Sequence, residues 1–77
     1  MTPEQALKVV LDSRDSDTEE FGRRAYHWIQ RGIHHAQFTA EFGQTPRDRV
    51  NAKNWINQAT RVAVVIRKML TDRGVEL

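Results

Sequence analysis

From Thr45 to Asp72 the sequence carries a helical pattern with no interruption, opened by Thr45-Pro46-Arg47-Asp48-Arg49. A helix of that length is far longer than a 77-residue monomer needs, and it points to an oligomer. Its start is written locally. Thr45 can cap, Pro46 fits the first helical position where no amide hydrogen is required, and Asp48 sits where the helix dipole favours a negative charge. Gly74 is placed to stop it. Inside, Ala52, Trp55, Ile56, Ala59, Val62, Ala63, Ile66, Met69 and Leu70 recur at near-heptad spacing, so a helix over about 46–73 is expected.

Two earlier segments complete an all-α reading. Thr2 as cap, Pro3 at the first helical position and Gln5 at capping-box spacing open a short amphipathic helix over about 3–12, with Ala6, Leu7, Val10 and Leu11 on one stripe. The polar run Ser13-Arg14-Asp15-Ser16-Asp17 has no periodicity and reads as a loop ending in a cap for the next helix. That helix is expected over about 18–41, with Phe21, Ala25, Trp28, Ile29, Gly32, Ile33, Ala36 and Ala40 at three- and four-residue steps. Gly22 and Gly32 each cost about 1 kcal/mol relative to alanine in a helix, and Gly32 falls inside the stripe, where it would let another helix approach closely. Trp28 and Trp55 lie on the two inward stripes and are expected to pack near the middle of the hairpin. The connection from Gly43 to Thr45 is too short for anything but an antiparallel hairpin. Residues 1–77 thus form one helical domain, a short helix followed by a long antiparallel hairpin.

A chain this small buries only about 60% of the surface its unfolded form exposes. There is no cysteine for disulfides or thiolate metal sites, so self-association is the remaining common route to stability. A helical-bundle homo-oligomer is therefore expected. Its contact would use Val64 and Val65, which point away from the intrachain seam, and Phe38 on the outer face of the second helix. The alternatives are incidental surface valines or cover from the first helix. The N-terminal residues lack a basic region followed by an apolar run, and no stretch approaches the roughly 20 apolar residues that span a bilayer, so a cytoplasmic protein with no membrane contact is expected.

Charge is divided along the chain. Through Glu20 there are six acids against two bases; after it there are ten bases against four acids. Either the halves pair or the basic body meets an anionic partner. Arg23, Arg24, His27, Arg31 and His34 fall within an arc of about 100° opposite the core stripe, at one end of which stands Phe38. Arginine forks match phosphate, histidines add donors, and Phe38 or Tyr26 could stack on a base. A second row, Arg49, Lys53, Thr60 and Arg67, lines one flank of the third helix beside Arg61 and Lys68. The competing description of both rows is solvated helix surface.

Other chemistries have no footing. His27, His34 and His35 do not stand four residues apart on one face, and zinc needs three or four convergent ligands, so no metal is expected. Without a cysteine, a glycine-rich phosphate loop, or a serine near a histidine (Ser13 and Ser16 are both in the polar run), neither catalysis nor a cofactor is expected.

Size, a short helix before a long hairpin, Glu20-Phe21-Gly22 leading into Trp28-Ile29, and Pro46 followed by Arg49 ahead of the apolar third helix resemble the small bacteriophage anti-CBASS proteins that act as cyclic-oligonucleotide sponges. The resemblance covers about half the chain. It implies a symmetric homo-oligomer in the host cytoplasm, no catalysis, and sequestration of a phosphate-linked nucleotide signal between subunits, with Arg49 as the one basic residue carried across by motif. The chain departs from that pattern at Trp55 and Asn57, early in the third helix. Two other functions stay open. One is a protein-binding inhibitor or adaptor of a host protein, acting through Val64, Val65 and Phe38. The other is a nucleic-acid-binding accessory protein, which the mild net charge of +2 and the lack of helix-turn-helix spacing disfavour.

Overall fold

The computed structural model describes the backbone of residues 1–77 and all side chains but those of Asp15 and Ser16. It holds three helices, α1 (Pro3–Asp12), α2 (Asp15–Phe42) and α3 (Pro46–Asp72), and is 43 Å long. The expected order, a short helix and then a long hairpin, is what is found.

The helix ends follow their local signals. Thr2 Oγ1 accepts from the Gln5 amide at 3.1 Å while Gln5 Oε1 accepts from the Thr2 amide at 2.8 Å, closing the capping box on α1. Thr45 Oγ1 accepts from the Asp48 amide at 3.1 Å with Pro46 in the first turn of α3. At the other end of α3, Gly74 takes φ +78°, its amide donates to the Thr71 carbonyl, and the Val75 amide donates to the Leu70 carbonyl. That pair of bonds is a Schellman stop, completed by the apolar contact it favours, since Val75 and Leu70 are both buried in the core.

The expected Ser13–Asp17 loop is corrected. Only Ser13 and Arg14 separate α1 from α2, which begins at Asp15 with no side-chain cap bond. Asp17, the residue expected to cap, therefore lies inside the helix, and Thr18 after it is buried. The Thr18 hydroxyl lies 2.8 Å from that of Ser13 and 3.1 Å from the Arg14 carbonyl, and the Ser13 hydroxyl donates in turn to the Val10 carbonyl. These hydroxyl bonds knit the end of α1 to the start of α2, so a run without apolar periodicity still forms helix. The side chains of Asp15 and Ser16 lie outside the described residues.

The arms of the hairpin approach closely where the glycines stand. A Cβ on Gly22 would lie 2.8 Å from Leu70 Cδ2, and one on Gly32 would collide with the ring of Trp55. Early α2 thus meets late α3 and mid α2 meets early α3, which is the antiparallel register. Across one face α1 adds Ala6 and Val10 to a core of Ile29, Ala59, Val62, Ala63, Ile66, Leu70 and Val75.

This core is lopsided. At 1.5 Å per residue α1 spans about 15 Å, whereas the arms of the hairpin run to about 40 Å. Beyond the reach of α1, toward the Gly43 turn, the buried apolar residues are Ala36 and Ala52, and Phe38, Phe42 and Val50 are exposed. Half of the hairpin is three helices thick and half is two. Trp28 also departs from expectation: it packs edge-on against Trp55 with centroids 5.8 Å apart, yet keeps 38% of its surface exposed because it lies about 100° around the helix from fully buried Ile29.

Candidate functional site

Each basic residue expected to bind a ligand is placed by its helix position. Arg23, Arg24, His27, Arg31 and His34 all lie exposed on the outer face of α2, away from α3. The acidic start of that helix closes on two of them: Arg23 pairs with Glu19 at 3.3 Å and Arg24 with Glu20 at 2.7 Å. Both pairs have the carboxylate four residues before the base, the favourable orientation on a helix. Part of the charge division along the chain is thereby neutralised within α2. Arg31 and His34 have no ion pair among the described residues, and His27 meets Tyr26 edge-on at 6.3 Å between centroids.

Arg49 is engaged at the turn. Its Nη1 donates to the Gly43 carbonyl at 2.7 Å, so the guanidinium ties the α2–α3 connection to the first turn of α3. A planar guanidinium has five N–H donors, so this bond leaves others on the half-buried side chain for further partners. Lys53, one turn further on, is exposed with no ion pair among the described residues.

The two long helices bring a different set together. A groove of about 280 Å³ runs between Tyr26, Gln30 and Ile33 of α2 and Thr60, Ala63, Val64 and Arg67 of α3. Tyr26 is the one member of the expected ligand set in it, and Arg67 and Thr60 come from the second basic row. Gln30 was not foreseen, although it stands four residues after Tyr26 and so on the same flank. The Thr60 hydroxyl donates to the Ile56 carbonyl at 2.8 Å, which leaves its oxygen as an acceptor. The Arg67 guanidinium has no protein partner among the described residues. An aromatic ring, an amide, a hydroxyl and an unpaired fork therefore line one open trough over an aliphatic floor.

The residues expected at an oligomer contact do not form one patch. Val64 is 64% exposed on α3 and borders the groove, and Val65, next in sequence and about 100° around the helix, is 43% exposed. Phe38 is at the turn end of α2, packed on Phe42 at 5.0 Å between centroids, and both rings are 63% exposed. That pair is a second apolar feature, and the i, i+4 spacing of the phenylalanines was the signal for it.

No group of three or more His, Cys, Asp or Glu among the described residues is arranged to hold a metal ion. No helix among them is long and apolar enough to cross a membrane. No protein-family model, curated protein or solved structure matches the chain.

Proposed function

We propose that this protein is a non-catalytic binding protein that sequesters a phosphate-bearing nucleotide, with the α2–α3 groove as its ligand-contacting surface. The observation that carries the reading is the meeting of Tyr26 with unpaired Arg67 across the hairpin seam, beside Gln30 and Thr60. Tyr26 offers a face for a base, Gln30 and Thr60 offer hydrogen bonds, and Arg67 presents a fork to phosphate. Lys53 and Arg49 lie on the same flank of α3 and extend the positive surface toward the turn. The groove is open and shallow, which suits a ligand closed in by a second copy of the chain, with Val64 and Val65 at the contact. In that assembly Arg31, His27 and His34 of a neighbouring copy complete the cleft, and a cyclic oligonucleotide is the ligand that the resemblance to phage sponges implies. Ser13 supports a role without catalysis, since its hydroxyl is engaged with Val10 and Thr18.

The test is a thermal-shift series with cyclic di- and trinucleotides, using linear nucleotides as controls, on the native chain and on Arg67→Glu. A rise of several degrees with one cyclic ligand, lost in the variant, is the expected result. No rise with any nucleotide overturns the reading.

The Phe38–Phe42 pair favours a second reading, a protein-binding inhibitor or adaptor. Two exposed rings in tilted contact are the kind of anchor that carries interface energy. It predicts a defined complex with one protein partner that Phe38→Ser with Phe42→Ser abolishes and that nucleotides leave unchanged.

A further inference from the structure

A second concavity lies between α1 and α2, apart from the proposed nucleotide groove. Ala6 and Val9 of α1, with Met1 ahead of them, form one wall; Phe21, Ala25 and Trp28 of α2 form the other. Every lining residue is apolar but one, Arg24 at the rim, and the space is about 200 Å³. The walls are reachable, since Trp28 and Val9 each keep a large part of their surface exposed. Large apolar residues opening onto a concave surface beside a single cationic side chain are the ingredients of a small-ligand pocket: an apolar bed with one polar group to orient the guest.

We infer that this groove binds a small aromatic carboxylate, its ring between Trp28, Phe21 and Val9 and its carboxylate on Arg24. Size selects the ring: an apolar cavity of about 150 Å³ takes up benzene, so the space here suits one ring and a short arm rather than a nucleotide. The walls select an aromatic ring, because Phe21 and Trp28 offer edges and faces for offset or edge-on packing. Charge selects an acid. Arg24 pairs with Glu20 through Nη2 at 2.7 Å, which leaves other donors of its guanidinium for a second carboxylate. The Glu20 carboxylate is largely exposed, so its repulsion of that second anion is screened by water. The site is independent of the α2–α3 groove and of what that groove binds.

The experiment is a titration of the ¹⁵N-labelled full chain with phenylacetate and, separately, with its uncharged isostere phenylacetamide, each to about 10 mM, a range that captures millimolar affinity. The expected result is a saturable shift of the Trp28 indole N–H and of the Val9 and Ala25 amides, with phenylacetate bound about tenfold more tightly than the amide, as a charge-assisted pair implies. Arg24→Gln, at an exposed side chain, is expected to bring the two ligands to equal affinity. Val9→Trp is expected to fill the groove and abolish both sets of shifts. No saturable shift with phenylacetate, a preference for the acid that survives Arg24→Gln, or undiminished binding in Val9→Trp each overturns the assignment.

Discussion

Gly22→Ala separates a packing requirement from helix propensity. On an exposed helix surface the change would stabilise the chain by about 1 kcal/mol, because alanine restricts the unfolded state more than glycine. At this position the new Cβ would stand 2.8, 3.3 and 3.4 Å from Leu70 Cδ2, Cγ and Cδ1, against an optimum of about 3.5–4.0 Å between carbons. Leu70 has no room to retreat. It is fully buried, and its carbonyl accepts from the Arg73 and Val75 amides that close the end of α3. Overpacking of such a site costs about 1–3 kcal/mol, so the two effects together leave the variant less stable by up to about 2 kcal/mol. In a domain of this size each 1 kcal/mol lowers the melting temperature by about 4–8 °C. The decisive assay is a double-mutant cycle with Leu70→Ala, read by urea unfolding followed by circular dichroism. Leu70→Ala alone costs about 2–5 kcal/mol. With the leucine gone, Gly22→Ala is expected to reverse sign and stabilise by about 1 kcal/mol. If Gly22→Ala stabilises equally in both backgrounds, the close approach of α2 to Leu70 does not limit this position and the reasoning fails.

Three other substitutions probe separate features. Thr18→Val keeps the shape but removes the hydroxyl that binds Ser13 and the Arg14 carbonyl, and is expected to cost about 1–2 kcal/mol in urea unfolding. Gly74→Ala meets no neighbour within 4 Å, so its cost is the left-handed backbone alone, about 1–2 kcal/mol, with the larger loss in thermal melts expected from a non-glycine residue of bulkier, β-branched type such as Gly74→Val. Glu19→Gln with Glu20→Gln removes both exposed ion pairs of α2, and is expected to change stability by less than about 1 kcal/mol each while freeing Arg23 and Arg24, which ion-exchange retention would register.

Helix number, order and most boundaries were legible because the signals are short-range. Thr2 with Gln5, Thr45 with Pro46, and Gly74 each act within one turn, and the structure uses all of them. The requirement for a small residue at Gly32 could be read from its place on the apolar stripe, and the ring of Trp55 fills that space. The start of α2 could not be read, since what holds it is a set of hydroxyl bonds among Ser13, Arg14 and Thr18 that leaves no trace in apolar periodicity. For the site, helical periodicity placed the α2 arginines outward but could not show that Glu19 and Glu20 close on two of them. The meeting of Tyr26, Gln30 and Arg67 depends on how far one arm slides along the other, a register that single-helix patterns leave open.

The uneven core leads to a last expectation, about where the molecule opens and what closes it. At the α1 end, Ile29, Ile66, Leu70 and Val10 are fully buried beneath three helices, whereas at the turn end Ala36 and Ala52 are the buried apolar residues and two helices stand alone. Burial of a methyl group contributes far less than burial of an isoleucine or leucine side chain, by about 1–2 kcal/mol for each residue compared. The turn half is held instead by the Thr45 cap and the Arg49 bond to Gly43. Opening of that half therefore costs much less than global unfolding, and amides around Ala36 and Ala52 are expected to exchange with solvent through local opening while those around Ile29 and Ile66 exchange only when the whole chain unfolds. Self-association through the uncovered half would stabilise it by mass action, so protection around Ala36 and Ala52 would rise with protein concentration. Association through Val64 and Val65 predicts a different pattern, in which protection rises around those valines and the turn half stays open at every concentration. Hydrogen exchange at two protein concentrations tells the two assemblies apart. Uniform protection along both arms in a concentration-independent monomer would show that the two-helix half needs no third layer.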